Sequence, residues 1–160
     1  METYAEVFSN DELLDLSKGG VVKRNVIIRG GIDVITDIKT IKGELGITQR
    51  DITSLGSIEE VKGNLWVSIY DTPCKLSSIG NLKKVDGDIN LKACIDLDSL
   101  GNLEYVGGTL NIRNTRIRTL GTISVIKGDA HLPIEMKSEP LDKIHIYGKV
   151  RYWKHQDQYT

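Results

Sequence analysis

At 160 residues, with 39% hydrophobic and 27% charged side chains, the chain is long enough for one domain with a buried core. Its 21 basic and 22 acidic residues leave a formal net charge of -1, which excludes a global field drawing in nucleic acid or an anionic membrane. No apolar run approaches the roughly 18 residues that span a bilayer, residues 1–6 are no signal peptide, and two cysteines make no disulfide scaffold, so a cytoplasmic setting without a membrane is expected.

Residues 1–20 predict a short helical cap. Ser9 or Asn10 is the expected N-cap, Asp11 and Glu12 place acids in the first turn, and Gly19-Gly20 is the expected stop. Leu13, Leu14, Val7 and Phe8 are its expected apolar contacts. Such a cap suits a solenoid, whose end coil otherwise exposes core.

Residues 21–153 repeat one template. Its clearest copy is 97–112, with Leu97, Leu100, Leu103, Val106, Gly108, Leu110 and Ile112, and it begins again at Ile117. Short alternating pieces follow each glycine: Val26-x-Ile28, Leu45-x-Ile47, Leu65-x-Val67, Ile89-x-Leu91, Leu110-x-Ile112, Ala130-x-Leu132 and Val150-x-Tyr152. Alternation predicts strands with one face inside. Between them, apolar residues recur every third position, as in Ile52, Leu55, Ile58 and Val61. A period of three fits neither the α-helical stripe nor the strand, and predicts short 3₁₀ or extended segments that carry the chain round corners.

From Leu45 the strands start 20, 24, 21, 20 and 20 residues apart. The expected fold is therefore a β-rich solenoid of about six to seven coils, stacked at ~4.8 Å and carrying one parallel sheet. The coil with extra residues lies at 68–75, where Pro73 breaks the path and a loop is expected. Recurrent glycines such as Gly56, Gly80, Gly101 and Gly121 are expected at tight corners. Residues 134–153 read as a closing coil, and 154–160 as a polar tail.

The pattern G-x-L-x-I followed by I-x-x-L-G-x-L-x-x-V-x-G resembles the short leucine-rich coils of receptor L-domain-like solenoids and of bacterial and phage leucine-rich repeat proteins. The resemblance covers roughly 26–152. It implies a right-handed solenoid that holds another molecule on a side face, and it implies no activity. The asparagine ladder of longer leucine-rich repeats is not evident in this sequence.

If Leu45 and Ile47 point inward, the alternate positions of every strand point outward. The expected partner-binding residues are then Trp66, Tyr70, Asn90, Lys92, Asn111, Arg113, His131 and Arg151. Trp and Arg are frequent binding hot spots, and Arg forks onto carboxylate or phosphate. His131, His145 and His155 share no metal spacing, so no metal or cofactor is expected. Cys74 and Cys94 are expected to be buried inert thiols, and no catalytic set is found.

The expected function is non-catalytic binding of another protein, as an inhibitor or adaptor of phage or mobile-element style. The alternative is a small-ligand site for a nucleotide-like or carbohydrate molecule on the same strand face. A weaker third reading is a parallel β-helix enzyme. A second copy of the chain is a further candidate partner, through the last coil or a sheet edge.

Overall fold

The computed structural model describes residues 3–69 and 73–155. The chain forms a β-solenoid of about seven turns. One eight-stranded sheet, sheet A, runs along its length in the order Tyr4–Val7, Asn25–Ile28, Leu45–Ile47, Leu65–Val67, Ile89–Asn90, Leu110–Asn111, Ala130–Pro133 and Val150–Trp153. Every neighbouring pair in it is parallel. The first strand, Tyr4–Val7, lies inside the segment read from sequence as a helical cap.

A second eight-stranded sheet, sheet B, was not foreseen. It is built from pairs of residues such as Thr40–Ile41, Glu60–Val61, Lys84–Val85 and Tyr105–Val106. These pairs end each run of apolar triplets. Ile41, Val61, Val85, Val106 and Ile126 point into the core while the preceding residue lies at the surface. The fourth apolar residue of each triplet run is therefore a strand residue, two positions before the corner glycine. A third, sparser line of parallel bridges joins Val34, Ser54 and Ser78.

The turn inside each run has a repeated chemistry. Ser54, Ser78, Ser99 and Thr119 each accept a hydrogen bond from the glycine amide two residues on, at 2.9–3.2 Å. The glycine lies at φ +54 to +58°, a region where a Cβ costs energy. An i→i+3 bond closes the turn, as from Leu103 N to Leu100 O at 3.1 Å. The period of three arises from this turn.

At the N-terminus, Ser9 caps the six-residue helix Asn10–Asp15 by accepting from Glu12 N, and Glu12 reaches back to Phe8 N. Leu13 and Val7 are buried, whereas Leu14 and Phe8 stay exposed. Gly19-Gly20 does not stop the helix, which ends at Leu16. Both glycines have positive φ and turn an antiparallel hairpin between Ser17–Lys18 and Val21–Val22, the backbone that a two-residue hairpin loop requires.

The core is a single apolar column from Val7 to Met136. Its only buried polar side chain among the described residues is Thr115, whose hydroxyl donates to Ile112 O at 2.7 Å. Cys74 and Cys94 lie within this column as free thiols. Hydrogen bonding from Cys94 lowers the Cys74 pKa, and the same bond with burial raises that of Cys94.

A side-chain ladder runs along the corner between the two sheets. Asn25 Oδ1 accepts from Glu44 N, Asn64 Oδ1 from Asp88 N, and Asp88 Oδ1 from Thr109 N, each at 2.8 Å. Thr109 Oγ1 then accepts from Asp129 N at 3.2 Å, and Asp129 Oδ1 from Lys149 N at 2.8 Å. It is not a run of asparagines, and it was not anticipated from the sequence. Asn, Asp and Thr share the role, so no single residue type marks it in the sequence. The ladder also explains Gly43, Gly87, Gly108, Gly128 and Gly148, where a Cβ would meet a ladder side chain, while at Gly63 it would meet only the backbone of the coil before. A Cβ on Gly87 would stand 2.3 Å from Asn64 Oδ1, and one on Gly108 would stand 2.1 Å from Asp88 Oδ1.

Candidate functional site

The outward face of sheet A brings most of the expected site residues into one line. Register pairs Trp66 with Asn90, Asn90 with Asn111, Asn111 with His131, and His131 with Arg151. At ~4.8 Å per rung this line is about 19 Å long. Lys92 and Arg113 follow two residues after the asparagines and flank the line on one side, with Lys92 exposed. Tyr70 lies outside the described residues.

Trp66 marks the N-terminal end. Its indole covers Gly46, the residue facing it across the rung. Nε1 donates to Glu44 Oε1 at 3.1 Å, and Tyr4 Oη donates to the same oxygen at 2.8 Å. The Tyr4 and Trp66 rings meet edge to face, with centroids 6.5 Å apart. Among the described residues these contacts run toward the first coils rather than toward the 68–75 loop. Glu44 breaks the corner ladder to make them: its carboxylate also accepts from Asn64 Nδ2 at 3.4 Å.

The C-terminal end holds a second aromatic group. Trp153 Nε1 donates to His131 Nδ1 at 3.0 Å, which places the ring proton of neutral His131 on Nε2. The Arg113 guanidinium lies over the Trp153 ring, 4.6 Å from its centroid. Trp153 pairs with Pro133 in the last rung. Arg113, Pro133 and Trp153 are spaced by 20 residues in the sequence, and that spacing is the signal by which Trp153 belongs to the site. Tyr4 carries no repeat signal, because it lies before the template begins, whereas Glu44 stands after its corner glycine at the position that Asn64 and Asp88 hold in later coils.

The asparagines form the middle. Asn90 Oδ1 accepts from Lys92 N at 3.3 Å and Asn111 Oδ1 from Arg113 N at 3.4 Å. Each side chain thus closes a turn as its short strand ends. Among the described residues, Lys92, Arg113 and Arg151 have no carboxylate within ion-pair distance, and no three His, Cys, Asp or Glu side chains gather in a metal-holding group. No helix there is long and apolar enough to cross a membrane.

The fold and this face define a β-solenoid with a polar and aromatic side. Comparison with protein-family models, curated proteins and solved structures finds no match for the chain.

Proposed function

We propose that the chain is a non-catalytic protein-binding module that acts by occupying a partner's surface, as an inhibitor or adaptor does. The observation that carries this reading is the straight row Trp66, Asn90, Asn111, His131 and Arg151, with an indole fixed near each end. Tryptophan and arginine are among the residue types most enriched at binding hot spots, and the asparagines and histidine between them supply hydrogen-bonding groups to a partner. The leucine-rich style of the repeat belongs to this reading as well, since such solenoids present a side face to a second molecule.

The test is site-directed photo-crosslinking from Asn90 and Asn111, with Asp37 as control. Asp37 is exposed and lies far from this row in the chain. A partner captured from the two asparagines and not from Asp37, whose purified form loses affinity for Asn111→Arg, supports the reading. Equal capture from all three positions, or unchanged affinity for Asn111→Arg, overturns it.

A further inference from the structure

We infer that the segment recognised by this face is acidic and extended, a stretch of polypeptide about six residues long lying along the row from Trp66 to Arg151. The inference rests on the reading of sheet A as a protein-binding face and adds the chemistry of the partner.

The argument comes from which hydrogen-bonding valences remain open. Asn90 and Asn111 each have one lone pair of their oxygen taken by a backbone amide, so each keeps two Nδ2 donor hydrogens against one acceptor lone pair. His131 accepts at Nδ1 from Trp153, leaving Nε2 as a donor. Lys92, Arg113 and Arg151 donate only. From Asn90 to Arg151, the row and its Lys92–Arg113 flank therefore present donors in excess of acceptors, and every charged group among them is a cation.

The charges of the face divide in the same way. Its carboxylates are turned to the protein's own groups: Asp88 and Asp129 to the amides of Thr109 and Lys149, and Glu44 to Tyr4, Asn64 and Trp66. Its cations at Lys92, Arg113 and Arg151 have no such partner among the described residues. Arg113 is also held in place. Stacking on Trp153 takes up the face of the guanidinium and leaves its in-plane N–H fork open, the geometry that receives a carboxylate.

Length and charge density point to a peptide. A row of about 19 Å matches about six extended residues at ~3.3 Å each, with alternate side chains toward the sheet. Three cations over that length suit scattered carboxylates. A uniformly dense polyanion such as nucleic acid calls for a longer run of cations, and a chain of net charge -1 supplies no wider positive field to hold one.

The experiment uses fluorescein-labelled decapeptides alternating Glu with Thr, Lys with Thr, or Gln with Thr, titrated with the whole chain and followed by anisotropy. The Glu peptide is expected to bind at least about tenfold more tightly than the other two, and to weaken as salt rises. Lys92→Glu with Arg151→Glu, which leaves Arg113 and its stacking untouched, is expected to reverse the preference toward the Lys peptide.

Equal binding of the three peptides, an unchanged preference in the double variant, or binding of heparin or a single-stranded oligonucleotide in place of the Glu peptide overturns the inference. If a partner crosslinks from Asn111 and the Glu peptide does not displace it, the acidic assignment falls while the face remains. If no partner crosslinks from the face at all, the reading beneath it fails separately.

Discussion

Gly46 and Trp66 face each other across one rung of sheet A, and a Cβ built on Gly46 would stand 2.2 Å from Cζ2 of the indole. The glycine is the floor on which the tryptophan lies. Gly46→Ala should lift the ring and break its bond to Glu44, destabilising the chain by about 1–3 kcal/mol as overpacking does. In a Trp153→Phe background, Trp66 emission should shift to the red. Unchanged emission and melting temperature would show that the ring does not rest there.

The corner ladder predicts a non-additive pair. Asn64→Ala removes the acceptor for Asp88 N and should cost about 1–2 kcal/mol in urea unfolding. Gly87→Ala should cost about 1–3 kcal/mol, because its new methyl would meet both Asn64 Oδ1 and, at 2.8 Å, the Gly63 backbone. The double variant should cost less than the two together, since removing Asn64 relieves the first clash and leaves the second. Strict additivity would contradict the ladder.

Core and surface should respond very differently. Leu103→Ala empties a fully buried site and should destabilise by about 2–5 kcal/mol. Arg116→Ala breaks a 3.8 Å pair with Asp96 between two well-exposed side chains, and should change stability by no more than about 0.5 kcal/mol. Equal losses would place the core elsewhere.

Asp51 supplies a pH signature. Its carboxylate accepts from Arg50 Nε at 3.3 Å and lies 3.4 Å from Lys75 Nζ. Arg50 first, then Lys75, holds its pKa below the ordinary 3.8. A depressed carboxylate pKa contributes stability that is present above the unfolded value and lost as pH falls through the folded one. An NMR titration should therefore find the Asp51 midpoint below 3.8 in the parent, and higher in Arg50→Gln. A midpoint indifferent to Arg50→Gln would remove this pair from the account.

The fold was legible because leucine and isoleucine at fixed spacing report directly on which side chains enter the core. The strand markers from Val26 to Val150 fall in or beside sheet A, and the buried triplets fall where their period placed them. What stayed hidden was carried by groups whose role depends on the neighbouring coil. Sheet B was hidden because two-residue strands show no alternation. The ladder was hidden because Asn64, Asp88 and Thr109 do one job with three chemistries.

The candidate face divides in the same manner. Alternation alone puts Trp66, Asn90, Asn111, His131 and Arg151 on the outside, and the strand register, kept across coils of 20, 21 and 24 residues, puts them in line. Sequence could not show that Trp66 turns back toward Tyr4, or that Arg113 stacks on Trp153 two coils away. Both depend on side-chain directions that no spacing encodes.

The corner ladder also has a direction. In every rung the side chain belongs to the earlier coil and the amide to the later one: Asn25 receives Glu44, Asn64 receives Asp88, Asp88 receives Thr109, Thr109 receives Asp129, and Asp129 receives Lys149. A ribosome delivers the chain in that same order. Each of these five amides then emerges onto an acceptor carried by the coil before it, whereas the coil beginning at Asn64 does not, because Glu44 has turned its carboxylate to Trp66.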